Sequence, residues 1–393
     1  MLLTNQNLEK IRQSPTVAMA DKVLALKAQG VPLIGLQTGD PDFATHPAIM
    51  KVAVDSMAAG KTHYGPSQGF IHVRKAIATK LERDNGLQYD PANELILTHG
   101  GIHAFYIGMQ SVINTGDEFI IPDPSYATHA NMVTMLGGKA VRVMAPAENG
   151  FLPKIESWAA AITPKTRGII ANYPSNPTGV YPGKEYLQEL VALCKIHDLF
   201  IISDEVYENL YYGEHPVSLA SIEGARERTL VVNSLSKTYA MTGWRVGFLA
   251  GPKHLIQNCL KVSQHSITCV APFIQEAAGF ALSDPAMQVF ASEMRIKYAE
   301  RRDLVLRVAK DIKDDRLVAT APMGAFYYFL DFRKLGISDE VICDKLLMEA
   351  NVGTVAGSAF GKMGEGFIRM TIAASNKEIE EGFGKIVEWV NKQ

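Results

Sequence analysis

The stretch "SLSKTYAMTGWRVG" (residues 234–247) follows a short run of apolar, mostly β-branched residues, "TLVV" (residues 229–232). Such a run predicts a buried strand whose carboxyl end delivers Ser234, Ser236 and Lys237. Most lysines lie on the surface, and burying an ammonium group that has no partner is costly. The stretch therefore predicts both a buried sheet and a chemical role for the amine of Lys237.

Similar runs recur along the chain and alternate with segments of helical period, such as "EYLQELVALCKIHD" (residues 185–198). The seven predicted strands, including the run described above, are "ELILT" (94–98), "EFIIP" (118–122), "KAVRVM" (139–144), "RGIIAN" (167–172), "LFIISD" (199–204), "TLVVNS" (229–234) and "VGFLAG" (246–251). This alternation predicts an α/β fold, with a mainly parallel seven-stranded sheet between helices.

The pattern changes near residue 288, where a long charged segment of helical period precedes the strand-like runs "GAFYYFLDF" (324–332) and "GFIRMTIA" (366–373). We expect a large domain over residues 46–287 and a smaller α+β domain formed by residues 1–45 together with 288–393.

The composition narrows the possible partners. The 393 residues carry a formal net charge of -2, with 39 Lys+Arg against 41 Asp+Glu, which disfavours nucleic acid and acidic membrane surfaces. Apolar stretches stop well short of 18 residues, so no membrane span is expected. Four isolated cysteines fit a cytoplasmic protein that has neither disulfides nor a zinc site. His99 and His103 are four residues apart, but His99 precedes the predicted helix, so the two histidines make a poor metal-binding pair. We expect no metal.

Polar or glycine-rich motifs follow five of the predicted strands, and ligands of open α/β sheets bind at that edge. The motifs are "THGGIH" (98–103), "PDPSYATH" (122–129), "NYPSNPTG" (172–179), "SDEVY" (203–207) and "NSLSK" (233–237). Taken singly they are ambiguous, because "HGG" also suits a tight turn and Asp204 a helix cap. An amine, a carboxylate, phosphate-binding glycines with serines, and an arginine are together the parts that pyridoxal phosphate requires.

Three motifs are highly specific for one family in their order and spacing: "SNPTG" (175–179), "SDEVY" (203–207) and "SLSK" followed by "GWRVG" (234–247). The motifs "LQTGDPDF" (36–43) and "THYGPSQGF" (62–70) precede them. The chain resembles, over almost its whole length, the class I/II fold-type-I pyridoxal-phosphate-dependent aminotransferases of the aspartate aminotransferase type. The resemblance implies transfer of an amino group from an L-amino acid to a 2-oxo acid, in a ping-pong mechanism through an aldimine on Lys237.

The resemblance also implies roles for single residues near the cofactor ring. Lys237 would hold the cofactor and shuttle a proton, and Asp204 would pair with the pyridinium nitrogen. Asn176 and Tyr207 would hydrogen-bond the ring oxygen, and Tyr126 would stack on the ring.

By the same resemblance, the cofactor phosphate would be bound by five residues of this chain: Gly101, Ile102, Ser234, Ser236 and Arg245. Tyr64 would reach the phosphate of a neighbouring subunit, which implies a homodimer.

For the substrate, the resemblance implies that Arg369 binds the α-carboxylate beside Asn176, and that Gly39 contacts the substrate. It further predicts cis peptide bonds at Asp123–Pro124 and Asn176–Pro177.

The donor is less defined, because Ile102 stands where some aspartate-specific relatives carry a lysine, whereas Ser14 and Thr16 fit the polar N-terminal stretch of those relatives. We expect a neutral or aromatic donor, with an aspartate-like donor as the other choice.

A lyase that performs β- or γ-elimination or ring formation on the same fold is the alternative activity. A non-catalytic ligand-binding module is disfavoured by the presence of Lys237.

Overall fold

The computed structural model describes residues 4–11 and 13–393. Its strands are β1 (Ile34–Gly35), β2 (Leu95–Thr98), β3 (Glu118–Asp123), β4 (Lys139–Met144), β5 (Thr166–Asn172), β6 (Phe200–Asp204), β7 (Thr229–Ser234), β8 (Gly247–Ala250), β9 (Tyr327–Asp331), β10 (Val352–Gly353), β11 (Val355–Ala356) and β12 (Phe367–Thr371). Its α-helices are α1 (Gln6–Glu9), α2 (Pro15–Ala28), α3 (Pro47–Ala58), α4 (Ile71–Asn85), α5 (Gly100–Val112), α6 (Ala127–Met135), α7 (Ile155–Ala160), α8 (Lys184–Ile196), α9 (Leu235–Thr238), α10 (Lys253–Ser266), α11 (Pro272–Ser283), α12 (Pro285–Val308), α13 (Asp339–Glu349) and α14 (Asn376–Val390).

The large sheet has the strand order β2-β8-β7-β6-β5-β3-β4. Its pairs are parallel except for those that β8 makes with β2 and β7. The prediction of a mainly parallel seven-stranded sheet is therefore confirmed. All residues of β3 and β7 are buried, as expected for strands covered by helices on both faces.

Two smaller sheets lie outside the large one. An antiparallel sheet has the order β11-β12-β9, and β1 pairs in parallel with β10. The pairing of Ile34 with Val352 joins the N-terminal segment to the C-terminal part of the chain. This arrangement is consistent with residues 1–45 and 288–393 forming one unit, which remains a prediction, as do its boundaries.

The helix that leads from the large sheet towards the small one is α12, which has 24 residues. The side chain of Asp284 caps its first turn by accepting a hydrogen bond from the backbone N–H of Ala286, and Pro285 occupies the first helical position, where a proline loses no hydrogen bond. The helix thus begins a few residues before the predicted domain boundary at residue 288.

Two expectations from composition concern membranes and cysteines. No helix among the described residues is both long and apolar enough to cross a membrane. All four cysteines, Cys194, Cys259, Cys269 and Cys343, are free thiols.

Candidate active site

A cavity of about 310 Å³ lies where β5, β6 and β7 end, between the large sheet and the C-terminal sheet. It brings together twelve of the residues that the sequence singled out: Gly39, Gly101, Ile102, Tyr126, Asn176, Asp204, Tyr207, Ser234, Ser236, Lys237, Arg245 and Arg369. Because the parallel strands present their carboxyl ends at one edge, residues far apart in sequence meet there.

Lys237 lies on α9, the single helical turn that follows β7. Ser234 caps this turn, since its Oγ accepts a hydrogen bond from the backbone N–H of Ser236. The Nζ of Lys237 donates a 2.6 Å hydrogen bond to the carbonyl oxygen of Gly39. Burial lowers the pKa of Lys237 to about 8, helped by the charges of Arg369 and Arg245 and opposed by Asp40. An amine with this pKa is partly neutral, and therefore nucleophilic, at neutral pH.

Asp204 is the last residue of β6 and is buried. Its Oδ2 lies 2.9 Å from Nε2 of His129, and its Oδ1 accepts a 3.3 Å hydrogen bond from the backbone N–H of Val206. The His129 ring is itself fixed by packing 4.6 Å from the ring of Phe105, centroid to centroid. The carboxylate is thus held in one orientation at the cavity wall.

A cluster of donors lies at another part of the cavity, where α5 begins beside α9. The Oγ of Ser234 is 2.7 Å from the Oγ of Ser236, and a guanidinium nitrogen of Arg245 lies where it would be 2.8 Å from a Cβ added at Gly100. A Cβ added at Gly101 would come within 3.0 Å of Val206. Two glycines therefore permit a close approach of backbone, arginine and hydroxyls, which suits an oxyanion at a helix N-terminus.

Arg369, on β12, is 3% exposed, and its guanidinium is held by two residues of other elements. It donates hydrogen bonds of 2.9 Å to Oδ1 of Asn176 and 2.7 Å to the carbonyl oxygen of Gln37, and it lies 4.3 Å from the ring centroid of Tyr327. Its Nε has no hydrogen-bond partner among the described residues. A buried cation with a spare donor is suited to bind a carboxylate.

Comparison with known proteins agrees with this geometry. Residues 31–386 match the family described as aminotransferase class I and II. The chain is 39% identical to an aspartate aminotransferase of Pyrococcus abyssi, over 90% of each chain, and 38% identical to an aromatic-amino-acid aminotransferase of Thermococcus litoralis, over 91% of this chain and 92% of the other. It also superposes on an aspartate aminotransferase from Thermus thermophilus with maleate, with a TM-score of 0.94, 36% identity, and coverage of 99% of this chain and 100% of the other.

The chain belongs to the class I and II aminotransferase family. The resemblance drawn from the motifs is therefore confirmed, and the activity is transfer of an amino group. A lyase activity is not favoured, because the similar proteins are named as aminotransferases. This family is known to use pyridoxal phosphate.

Tyr64 lies apart from the other predicted site residues of the aminotransferase. Its side chain is 87% exposed and does not line the cavity of its own chain. Among the two polar N-terminal residues, Thr16 lines the cavity, and the Oγ of Ser14 lies 2.8 Å from the Oγ1 of Thr16. Ser14 thus reaches the cavity only through Thr16.

The polar cavity residues of the aminotransferase that sequence reasoning missed include Gln37, His129, Asn172 and Tyr327. Tyr327 lies with its hydroxyl 2.9 Å from that of Tyr207. His129 and Asn172 belong to the strand-end motifs quoted above, so their polarity beside those ends was a usable signal. Tyr327 carries no such signal, because it lies within an apolar strand.

Two further observations bear on the sequence predictions, one on cis peptide bonds and one on metal binding. The predicted cis bonds at Asp123–Pro124 and Asn176–Pro177 are confirmed, and a third, at Tyr173–Pro174, was not predicted. Among the described residues, no group of three or more His, Cys, Asp or Glu side chains is placed to hold a metal ion.

Proposed function

We propose that this aminotransferase binds pyridoxal phosphate through Lys237 and transfers the amino group of a neutral or aromatic L-amino acid to a 2-oxo acid by a ping-pong mechanism. The observation that supports it best is one cavity that contains an amine of lowered pKa, a fixed carboxylate and a cluster of anion-binding donors.

The cavity residues fit the cofactor by their chemistry. Asp204, fixed by His129, supplies the negative charge that would keep a pyridine nitrogen protonated. Ser234, Ser236 and Arg245, with the backbone N–H groups of Gly101 and Ile102, supply donors of the kind that bind a phosphate. Lys237 supplies the amine for a Schiff base.

When bound, pyridoxal phosphate supplies an electron sink for the negative charge that develops at the Cα of the amino acid. Lys237 would hold the cofactor through its neutral amine, and its Nζ could take the proton from the Cα of the substrate. The pKa of about 8 places a useful fraction of this amine in the neutral form near neutral pH. The buried Tyr207 keeps its proton, since burial raises its pKa well above the ordinary value, and with Asn176 it can act as a hydrogen-bond donor to the ring oxygen. Tyr126, which also lines the cavity, would stack on the ring.

For the substrate, we assign the α-carboxylate to Arg369. Its planar guanidinium is oriented by Asn176 and Gln37 before any substrate arrives, so little side-chain entropy is lost on binding. Gly39 lies beside it, where a larger residue would collide with Tyr327.

The donor side chain is assigned from the cavity residues that surround it. Ile102 is 47% exposed and lines the cavity together with Val17 and Ala20 of α2. Among the described lining residues, the lysine and the two arginines are Lys237, Arg245 and Arg369, all of which already have tasks in this proposal. A neutral or aromatic side chain suits these surroundings, because no further lysine or arginine there would pair with a second carboxylate.

An aspartate-like donor is the second candidate. It is favoured by Thr16, a polar residue that lines the cavity, and the name of one similar structure includes maleate, a dicarboxylate.

We also propose that the protein is a homodimer in which Tyr64 reaches the phosphate of the neighbouring subunit. The exposure of 87% on so large a side chain, outside the cavity of its own chain, supports this assignment.

The domains that we propose are residues 46–287 for the large one and residues 1–45 with 288–393 for the small one. We also propose a cytoplasmic location, which the free thiols support.

The test is a panel of amino donors with 2-oxoglutarate or pyruvate as acceptor, using purified protein incubated with pyridoxal phosphate. We expect visible absorbance from the bound cofactor and faster reaction with neutral or aromatic donors than with aspartate. Lys237→Ala should abolish both the absorbance shift and the activity. Absence of any visible absorbance in the wild-type protein would overturn the whole assignment, and ammonia release without an acceptor would point to the lyase.

A matched substitution tests the donor class. Ile102→Lys places a cation in the cavity and should raise kcat/KM for aspartate relative to phenylalanine by roughly tenfold or more, as expected for one added charge-assisted hydrogen bond. Ile102→Met, which keeps the size without charge, should leave the ratio near the wild-type value. If aspartate alone reacts at a useful rate in the wild-type protein, the second candidate replaces the first.

A further inference from the structure

A second cavity of about 310 Å³ lies apart from the active site, on the other side of the turn that follows Lys237. It is bordered by the end of α4, by residues 209–215, by Thr238 and Tyr239, and by α12. We refer to it as the lateral cavity. It is of a size that holds a small metabolite.

The lateral cavity carries positive charge that the protein only partly neutralises. Arg83 is paired with Asp84 through two hydrogen bonds of 2.6 and 2.9 Å. Lys80 lies a further 3.6 Å from Asp84, so this carboxylate is already matched by cations. Arg295, in contrast, has no hydrogen bond or ion pair with any described residue, although it lines the cavity. The excess charge of the lining is therefore that of Arg295.

Arg295 is held in place without using its donors. Its guanidinium stacks 4.1 Å from the ring centroid of Tyr211, and that ring packs edge-on against His215 at 4.9 Å. Stacking on an aromatic face fixes the plane of a guanidinium and leaves its N–H groups free for a ligand.

The same face of α12 supplies further polar groups. Gln288, Ser292 and Arg295 are four and three residues apart, so they lie along one side of the helix, and all three line the cavity. Asn209 and Thr238 complete the polar wall. The combination of a fixed arginine with neutral amide and hydroxyl groups is typical of sites for oxyanions.

We propose that the lateral cavity is a second ligand site, which binds a small oxyanion, a phosphate or a carboxylate, against Arg295. Such a ligand would connect α12 with Thr238 and Tyr239, the two residues that follow Lys237 in the chain. The site does not depend on the assignment of any residue in the active site.

Binding is tested by calorimetric titration of the protein loaded with pyridoxal phosphate, at constant ionic strength maintained with chloride. Inorganic phosphate and malonate are titrated separately, so that the two arms distinguish a phosphate from a carboxylate ligand. We expect saturable binding in at least one arm, weakened roughly ten- to a hundredfold by Arg295→Gln, the loss expected for one charge-assisted contact.

The controls separate this site from surface charge and from the active site. Arg307→Gln makes the same charge change at an exposed position of the same helix and should bind as the wild type does. Gln288→Glu, which places a carboxylate in the cavity, should also weaken binding. Arg369→Lys should leave unchanged the binding that Arg295→Gln weakens, although it should weaken any malonate bound in the active site, where Arg369 is assigned to a carboxylate.

The proposal fails if neither probe shows saturable binding to the wild-type protein, or if Arg295→Gln binds as tightly as the wild type. It fails equally if Arg369→Lys removes the same binding that Arg295→Gln weakens, because the probe would then report the active site.

Discussion

The Nζ of Lys237 lies 2.6 Å from the carbonyl oxygen of Gly39, 198 residues away in the chain. This contact joins the end of β7 to the segment that follows β1, and the same segment holds Arg369 through the carbonyl oxygen of Gln37. The candidate amine and the candidate carboxylate-binding group are therefore positioned by one stretch of backbone.

The first prediction concerns the pH dependence of cofactor binding. Burial lowers the pKa of Lys237 from 10.5 to about 8, so the neutral fraction of the amine increases through pH 8. The rate at which the apoprotein incorporates pyridoxal phosphate, followed by visible absorbance, should rise with pH and level off above about pH 8. A rate that keeps rising tenfold per pH unit up to pH 10 would contradict the lowered pKa.

The second prediction concerns the hydrogen bond of 2.9 Å between His129 and Asp204. His129→Phe removes the partner that orients this carboxylate and should weaken pyridoxal phosphate binding roughly ten- to a hundredfold, the size of a charge-assisted hydrogen bond. His129→Gln keeps an N–H donor near the Nε2 position and should recover most of the affinity in an absorbance titration. Equal affinities for the two variants would show that packing against Phe105, not the hydrogen bond, is the role of His129.

The third prediction concerns Arg369. Arg369→Lys keeps the charge but loses the planar pair of donors, so KM for the amino acid should rise by roughly ten- to a hundredfold. Initial rates at varied donor concentration measure this change, and affinity for the cofactor should stay near that of the wild type. A variant with unchanged KM would remove Arg369 from the substrate site.

The fourth prediction concerns Gly39. A Cβ at this position would lie 1.9 Å from the hydroxyl of Tyr327 and 2.9 Å from its Cζ, so Gly39→Ala must displace the backbone or the ring. We expect a loss of about 1–3 kcal/mol in unfolding free energy, as for other overpacked sites, together with reduced activity.

Gly384→Ala is the matched control for Gly39→Ala. Gly384 lies within α14, and a Cβ there has open space. Its replacement should be neutral or stabilise the protein by about 0.5–1 kcal/mol, because alanine favours the helix interior. Similar melting temperatures for the two variants would show that the contact between Gly39 and Tyr327 relaxes without cost.

The fifth prediction concerns Glu205, a buried residue next to Asp204. Burial, with the charge of Glu208, raises the pKa of Glu205 from 4.5 to about 7, although Ser203, Ser218 and Lys80 oppose the shift. The folded protein therefore binds more protons than the unfolded chain between pH 4.5 and 7, so this group's contribution to stability is lost as pH rises through that range. The loss is on the order of 3 kcal/mol.

Glu205→Gln tests this contribution, because it cannot titrate. In denaturant titrations at several pH values, the variant should lack the part of the pH dependence that wild-type stability shows between pH 4.5 and 7. Parallel pH profiles for the two proteins would show that Glu205 does not titrate in this range.

Most of the large sheet was predictable because its signal is local. Most of its strands are short, buried, apolar runs, and the polar residues at their ends, such as Asp204 and Ser234, follow directly in the chain. Topology then requires that the carboxyl ends of neighbouring parallel strands meet, so a shared cavity could be predicted from the sequence alone.

The sequence by itself therefore determined the α/β class, the seven strands and the positions of Lys237 and Asp204. Only the tertiary structure decided that Tyr327 lies against Tyr207, that Gln37 holds Arg369, and that Arg295 faces a second cavity without an ion-pair partner among the described residues. The physical reason is that a strand or helix is encoded by the spacing of neighbouring residues. A contact between elements hundreds of residues apart depends instead on how their packed surfaces align in three dimensions.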